Sequence, residues 1–236
     1  MSQPIIKVTD LHKKYGDFEA VRGLSFEVLK GEIFGLLGPN GAGKSTTLEI
    51  IETLREKTSG QVWVDGFDLD KEPNEIKKII GVQLQTSGYY PGLNLVELLQ
   101  LFAGLYNRVI DPMHLLDAVN LRDKAKVKFK ELSGGQKQRF SIATTLINEP
   151  RIIFLDEPTT GLDPQARRNL WDLIRQIRDK GTTVIITTHY MDEAEYCDRV
   201  SIMVDGKIEA LDTPSKLKEK FNADSMNDVF LKLARG

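Results

Sequence analysis

The sequence predicts an α/β fold with a mainly parallel sheet, a small antiparallel β part and an inserted α-helical part. Three observations carry this. Apolar runs of strand length alternate with helical periodicity along most of the 236 residues. Two β-rich runs, Val62-Trp63-Val64-Asp65-Gly66 and Ile202-Met203-Val204-Asp205-Gly206, each end in the Asp-Gly pair of a tight antiparallel hairpin. Between about Thr86 and Thr145 the pattern turns mostly helical.

In chain order, Ile33 to Leu37 reads as a short buried strand that enters a glycine loop, with a helix from Ser45 to about Leu54. Ile79 to Leu84, Ile152 to Leu155, Val184 to Thr187 and Val200 to Val204 are further strand candidates. Leu95, Leu98, Leu99, Phe102, Leu105 and Tyr106 form one apolar stripe, read as core packing. Lys124, Lys126, Lys128 and Lys130 would share a solvated face if that stretch were extended. Leu170, Leu173, Ile174 and Ile177 repeat at helical spacing within Gln165 to Asp179. Thr213-Pro214 reads as an N-cap with proline in the first turn, and a last helix covers Ser225 to Leu233. The expected organisation is a core from about 1–85 and 146–236, which includes the antiparallel part, with a helical subdomain at about 86–145.

Composition is that of an ordinary globular chain, 41% hydrophobic and 28% charged. Thirty-two Lys and Arg against 34 Asp and Glu leave a formal charge of −2, so no global field favours nucleic acid or an anionic membrane. One cysteine, Cys197, excludes an intrachain disulfide and fits a reducing compartment. No apolar run approaches the roughly 20 residues of a membrane span, and Met1-Ser2-Gln3-Pro4 has no signal-peptide character. The expectation is a soluble chain; at a membrane, another polypeptide would span it.

Gly38-Pro39-Asn40-Gly41-Ala42-Gly43-Lys44-Ser45 satisfies Gly-x4-Gly-Lys-Ser. Its glycines let the backbone wind tightly, so that successive N–H groups point at phosphate oxygens, and the following helix start adds its positive dipole end. Lys44 would reach the β- and γ-phosphates and the Ser45 hydroxyl would ligate Mg²⁺; Thr46 continues the site. The expected core is therefore that of a P-loop NTPase. Asp156 and Glu157 follow the run Ile152-Ile153-Phe154-Leu155, at a strand end, where ligands bind in such sheets. Asp156 would hold Mg²⁺ and Glu157 would act as general base on the attacking water.

Leu132-Ser133-Gly134-Gly135-Gln136-Lys137-Gln138-Arg139, followed by a helix-like run and then Asp156-Glu157, resembles the signature of ATP-binding cassette (ABC) ATPases. Its physical content is a helix N-terminus with a serine hydroxyl and free N–H groups. The resemblance runs from about Ile5 to Leu211. It implies a head-to-tail dimer with two ATP molecules between the subunits, in which Ser133, Gly134, Gly135 and Gln136 meet the γ-phosphate held by the other copy. It further implies that Tyr15 stacks on adenine and that Gln85, in preference to Gln83, senses Mg²⁺ and links core to helical lobe. Asp163, in Thr160-Gly161-Leu162-Asp163, would cross to the partner, and His189 would contact γ-phosphate.

The loop Thr86-Ser87-Gly88-Tyr89-Tyr90-Pro91 resembles that of drug-export and antibiotic-resistance-type cassettes. Tyr89, Tyr90 and Leu93 are then candidates for receiving a short helix of a membrane subunit. The reading is an ATPase with ATP and Mg²⁺ as cofactors, acting in an ABC transporter as an exporter subunit. It would be peripheral on the cytoplasmic face and partnered by a second copy of itself and a separate transmembrane permease, with no nucleic acid. A soluble single-cassette ATPase in an assembly such as Fe–S assembly, and an importer ATPase, remain alternatives at this point.

Overall fold

The computed structural model describes residues 3–83 and 88–233. The chain opens with two long strands, β1 (Pro4–Tyr15) and β2 (Phe18–Leu29), paired antiparallel through the turn at Gly16-Asp17. β3 (Ile33–Leu37) leads through the glycine loop into α1 (Lys44–Ile51). β4 (Ser59–Val64), β5 (Phe67–Asp68), α2 (Pro73–Ile79) and β6 (Ile80–Gln83) follow. Then come α3 (Leu95–Leu105), α4 (Pro112–Ala118), α5 (Gly134–Thr145), β7 (Ile152–Asp156) and α6 (Pro164–Asp179). The chain continues through β8 (Thr183–Thr188), β9 (Arg199–Val204), β10 (Lys207–Asp212), α7 (Pro214–Lys220) and α8 (Met226–Leu233).

Two sheets result. One is antiparallel, in the order β2-β1-β4-β5. The other, in the order β10-β9-β3-β8-β7-β6, is parallel from β9 to β6 with β10 antiparallel at its edge. Its central strands β3 and β8 are buried at every position because both faces are covered, the pattern expected of a parallel sheet. Ile33 and Leu37 of β3 and Ile153 and Leu155 of β7 pack with α3, α4, α5 and α6. Phe34 and Leu36 of β3 and Ile152 and Phe154 of β7 pack instead against the antiparallel sheet and α1. The main sheet is thus the shared wall of two cores.

The strand and helix expectations hold with small shifts. Both Asp-Gly pairs form turns with positive φ at each residue (Asp65 49°, Gly66 87°; Asp205 46°, Gly206 77°), the geometry that matches strand twist. Thr213 caps α7 by accepting from the Lys216 N–H. α1 stops at Ile51, short of Leu54, where Thr53 turns to φ 65°. The stripe on α3 is core only in part. Leu95, Leu98 and Leu99 are fully buried, but Leu105 is 73% exposed and Tyr106, at the helix end, 48%, because the last turn of α3 runs past the core. The four lysines do not share one extended face, since short 3-10 turns at Arg122–Lys124 and Phe129–Glu131 break the stretch.

The helical segment has no separate core. α3, α4 and α5 share one apolar cluster with the main sheet, and the end of α5 lies so close on β6 that a Cβ at Gly81 would meet the Thr145 carbonyl oxygen at 2.3 Å. Phe154 sits fully buried on β7, just before the acidic pair. Phe154→Ala is expected to cost about 3–5 kcal/mol of unfolding free energy, read from the midpoint shift in a denaturant titration.

Candidate functional site

The glycine loop is held by β2 and the β9–β10 hairpin together. Gly43 takes φ 95°, and a Cβ there would meet the Ala20 carbonyl oxygen of β2 at 2.5 Å. The hairpin joins both to the loop: the Gly206 N–H donates to the Ala42 carbonyl (3.1 Å), and the Gly206 carbonyl accepts from the Arg22 N–H (2.8 Å). Lys44 is buried and folds back over the loop, donating through Nζ to the carbonyls of Gly38 (2.8 Å) and Pro39 (3.0 Å). Burial pushes the Lys44 ammonium down from its ordinary range, and Glu157 and Asp156 oppose that.

The acidic pair is placed by sheet register. Asp156 ends β7 directly opposite Thr187 of β8. The Thr187 hydroxyl donates to Asp156 Oδ1 and accepts from the Glu157 N–H (3.0 Å), so one side chain orients both acids. Asp156 Oδ1 also accepts from Ser45 Oγ at 3.2 Å, joining the strand end to the first turn of α1. Glu157 has φ 46°, a left-handed conformation that costs a non-glycine residue on the order of 1–3 kcal/mol and turns its carboxylate back toward the loop. Its Oε1 lies 3.9 Å from Lys44 Nζ and 3.3 Å from His189 Nδ1, and its Oε2 accepts from the Thr160 hydroxyl at 3.3 Å. His189 is near enough but is not aligned for a hydrogen bond to Glu157.

In front of these groups is a cavity of about 420 Å³ lined by Tyr15, Phe18, Asn40, Gly41, Lys44, Ser45, Thr46 and Glu157, among others. Tyr15 and Phe18 are direct partners across the β1–β2 hairpin, 41% and 60% exposed, so both rings stand on one side of its tip. Lys13 Nζ and the Arg55 guanidinium lie over the Tyr15 ring at 5.1 and 5.5 Å. A pocket with an aromatic mouth, a backbone cradle and a lysine at its floor suits a purine nucleoside polyphosphate. Ser45 and Asp156 supply two hard oxygen donors at one point, which fits Mg²⁺. Among the described residues no group of three or more His, Cys, Asp or Glu could hold a metal, so a cation there would also need ligands of other kinds, phosphate oxygens and water among them.

Four further expectations fall on residues outside that cavity or outside the described residues. Gln85 lies outside the described residues, while Gln83 is buried and donates to Gln138 Oε1 at 2.8 Å, tying β6 to α5. Ser133 caps α5 in a reciprocal box with Gln136, each side chain bonding the other's backbone N–H, so that the N–H groups of Gly134 and Gly135 head the helix. These residues stand apart from the cavity above and abut Leu162 and Ala166 at the start of α6. Asp163 caps α6, accepting from the Gln165 and Ala166 N–H groups. Tyr89 is packed inward, its hydroxyl shared with Ser141 and Thr144 and its ring against Phe102, Phe129 and Phe140; Tyr90 is 65% exposed.

Sequence reasoning missed Phe18, Thr187 and Glu52. The Gly16-Asp17 turn would have exposed Phe18 as the cross-strand mate of Tyr15. Nothing in the sequence marks Thr187 or Glu52, since a β7–β8 register and the burial of a helix end are tertiary facts. Glu52 closes α1, is 3% exposed, and has its pKa raised to about 8 by burial first and then by Asp156 and Glu49.

A family model described as ABC transporter matches residues 21–160. The chain is 42% identical over 239 residues to the probable multidrug ABC transporter ATP-binding protein YbhF of Escherichia coli strain K12, a match that takes in 98% of this chain and 41% of that protein. It therefore spans about two fifths of that relative's length. It is 37% identical over 228 residues to the linearmycin resistance ATP-binding protein LnrL of Bacillus subtilis strain 168, covering 94% of this chain and 73% of that one. The dimeric structure of a post-hydrolysis state of an ATP-binding cassette bound to ADP and Pi matches with a TM-score of 0.77 at 29% identity, over 88% of this chain and 98% of that one.

The Glu52 carboxyl binds its proton more tightly folded than unfolded, so its protonation favours the folded state below its folded pKa. Stability is lost as pH rises from the ordinary carboxylate range of 4.5 toward about 8. Glu52→Gln is therefore expected to raise the melting temperature above wild type at pH 8, with the difference shrinking toward pH 5, as read by thermal denaturation at both pH values.

Proposed function

The chain belongs to the ABC transporter family, and we propose that it is the ATP-binding and ATP-hydrolysing subunit of a membrane exporter. The observation that carries the hydrolytic reading is that Lys44, Ser45 and Glu157 line one cavity, with Asp156 bonded to Ser45 and His189 beside Glu157. The export reading draws on the relatives named for multidrug and linearmycin resistance.

The chemistry is phosphoryl transfer from ATP to water, which depends on positioning and charge neutralisation. Tyr15, with Phe18 beside it, holds the base. The backbone from Gly38 to Thr46, through Pro39, Asn40, Gly41, Ala42, Gly43 and Ser45, and the Lys44 ammonium hold the β- and γ-phosphates. Bound by Ser45 and Asp156, Mg²⁺ supplies neutralisation of phosphate charge; Gln85 is proposed as its third protein contact. Glu157 accepts the proton of the attacking water, and His189 contacts the γ-phosphate from the other side. A base so placed contributes about 10²–10⁴ in rate.

Residues Ser133 to Gln136 head a helix yet stand apart from their own chain's cavity, so they are assigned to the phosphate of a second copy. Two ATP molecules would then favour a closed head-to-tail dimer, with the Asp163 loops at its centre, and hydrolysis would release it, because the ligand binds one state better than the other. No described helix is long and apolar enough to cross a membrane. A separate transmembrane permease on whose cytoplasmic face this chain sits completes the proposal, with the helical part at about 86–145 carrying the motion to it.

Purified Glu157→Gln, which removes the base and keeps the binding groups, is expected to pass from monomer to dimer on size-exclusion chromatography with light scattering when Mg-ATP is added, and to return to monomer with ADP. A monomer at saturating Mg-ATP, with nucleotide binding demonstrated on the same sample, would overturn the head-to-tail assignment.

A further inference from the structure

We propose that Glu193 is a positioning residue that locks the loop between β7 and α6 to the segment carrying His189, and so sets where the Glu157 carboxylate stands. The proposal rests on the ATPase reading above and adds to it a residue outside the cavity.

Glu193 lies on the short helical turn Met191–Tyr196 that follows β8, and its side chain has no solvent exposure. A carboxyl group at such a place is costly unless donors surround it. The donors are there, and they come from three segments. Thr159 belongs to the β7–α6 loop, Arg167 and Trp171 to α6, and Thr188 to the end of β8, one residue before His189. Thr159, Thr188, Arg167 and Trp171 each draw the Glu193 carboxyl toward its ionised form, against burial, which pushes it up. The cluster is loosely closed. Arg167 Nε is 3.7 Å from Glu193 Oε1, and Thr159 Oγ1, Arg167 Nε, Trp171 Nε1 and both Glu193 oxygens are buried without a hydrogen bond of normal geometry. Buried polar groups gathered this densely and left this far apart describe a joint with a tighter arrangement within reach.

Both segments that Glu193 joins end on Glu157. Thr160, next to Thr159, donates to Glu157 Oε2, and His189, next to Thr188, faces Oε1. A second path runs through Arg167, whose guanidinium lies 4.5 Å from the Tyr190 ring centroid, itself 4.1 Å from that of His189. Arg167 also follows the Asp163 cap by one turn, its N–H donating to the Asp163 carbonyl at 2.9 Å. The geometry links the loop assigned to the partner interface, the histidine and the base through one buried carboxylate. The phosphate loop supplies none of the side chains around Glu193 and meets this network only where Lys44 Nζ stands 3.9 Å from Glu157 Oε1, so nucleotide binding and base positioning are expected to separate.

Arg167 and Trp171 can only donate, while the Thr159 and Thr188 hydroxyls can donate or accept, so the surroundings suit a carboxylate better than an amide of the same shape. Glu193→Gln keeps the volume and sets an NH₂ against those donors. Expected is a fall in kcat of about tenfold or more, with KM and nucleotide affinity within about twofold of wild type and partial recovery in Glu193→Asp. In hydrogen–deuterium exchange without nucleotide, the same variant is expected to lose protection at 158–163 and 188–192 and to keep it at 39–47. Trp171→Phe, which removes one donor and keeps the packing, should shift both readouts in the same direction by less, and serves if Glu193→Gln does not fold.

A kcat within twofold of wild type, or parallel loss of kcat, nucleotide affinity and protection across the whole chain, would overturn the proposal and leave Glu193 a packing residue. Absence of hydrolysis by the wild-type protein would instead sink the ATPase reading, and the exchange measurement would still decide whether Glu193 joins the two segments.

Discussion

The site depends on the parallel pairing of β7 with β8 in the register that sets Asp156 opposite Thr187. A slip of one residue would turn Asp156 to the other face of the sheet and into one of the two apolar cores. In the observed register Asp156 reaches Ser45, Glu157 is bent back over Lys44, and the next residues of β8 deliver His189 beside it. The register is itself held by packing, because Ile153 and Leu155 face one core while Ile152 and Phe154 face the other. Hydrophobic burial on two sides is thus what aligns the polar groups.

This chain withdraws several charged side chains from water: Lys44, Glu52 and Glu193 are 4%, 3% and 0% exposed. Each is handled differently. Lys44 has the loop carbonyls and the nearby acids. Glu52 has no such compensation strong enough to keep it in the ordinary carboxylate range, and its pKa rises to about 8. Glu193 is ringed by donors at slightly long range. Lys44 and the left-handed Glu157 place such costs on the cavity itself, the usual distribution of strain at functional sites, while Glu52 and Glu193 lie outside its lining. The stability that offsets them comes from the two apolar clusters on the two faces of the sheet.

The glycine-headed helix α5 stands outside the cavity of its own phosphate loop. Its N-terminus is capped by Ser133 and Gln136, and its glycines lie against Leu162 and Ala166. The separation of these two glycine motifs within one chain is the arrangement on which the proposed pairing with a second copy rests. The neighbouring Asp163 cap and the Glu193 cluster place the internal wiring of the site beside that same edge.

Local chemistry was legible in the sequence. The Gly-x4-Gly-Lys-Ser loop, the acids at a strand end, the signature residues and both Asp-Gly hairpins are short contiguous patterns whose backbone geometry follows from their own residues, and the parallel α/β class follows from their alternation. The tertiary structure alone decided that Thr187 orients both acids, that Glu52 and Glu193 are buried, and that Tyr89 turns inward while Leu105 stays outside. Each of these depends on contacts between residues far apart in the chain, set by strand register and by which helix covers which face. No local pattern encodes such contacts, because the same side chain is surface or core according to what packs against it.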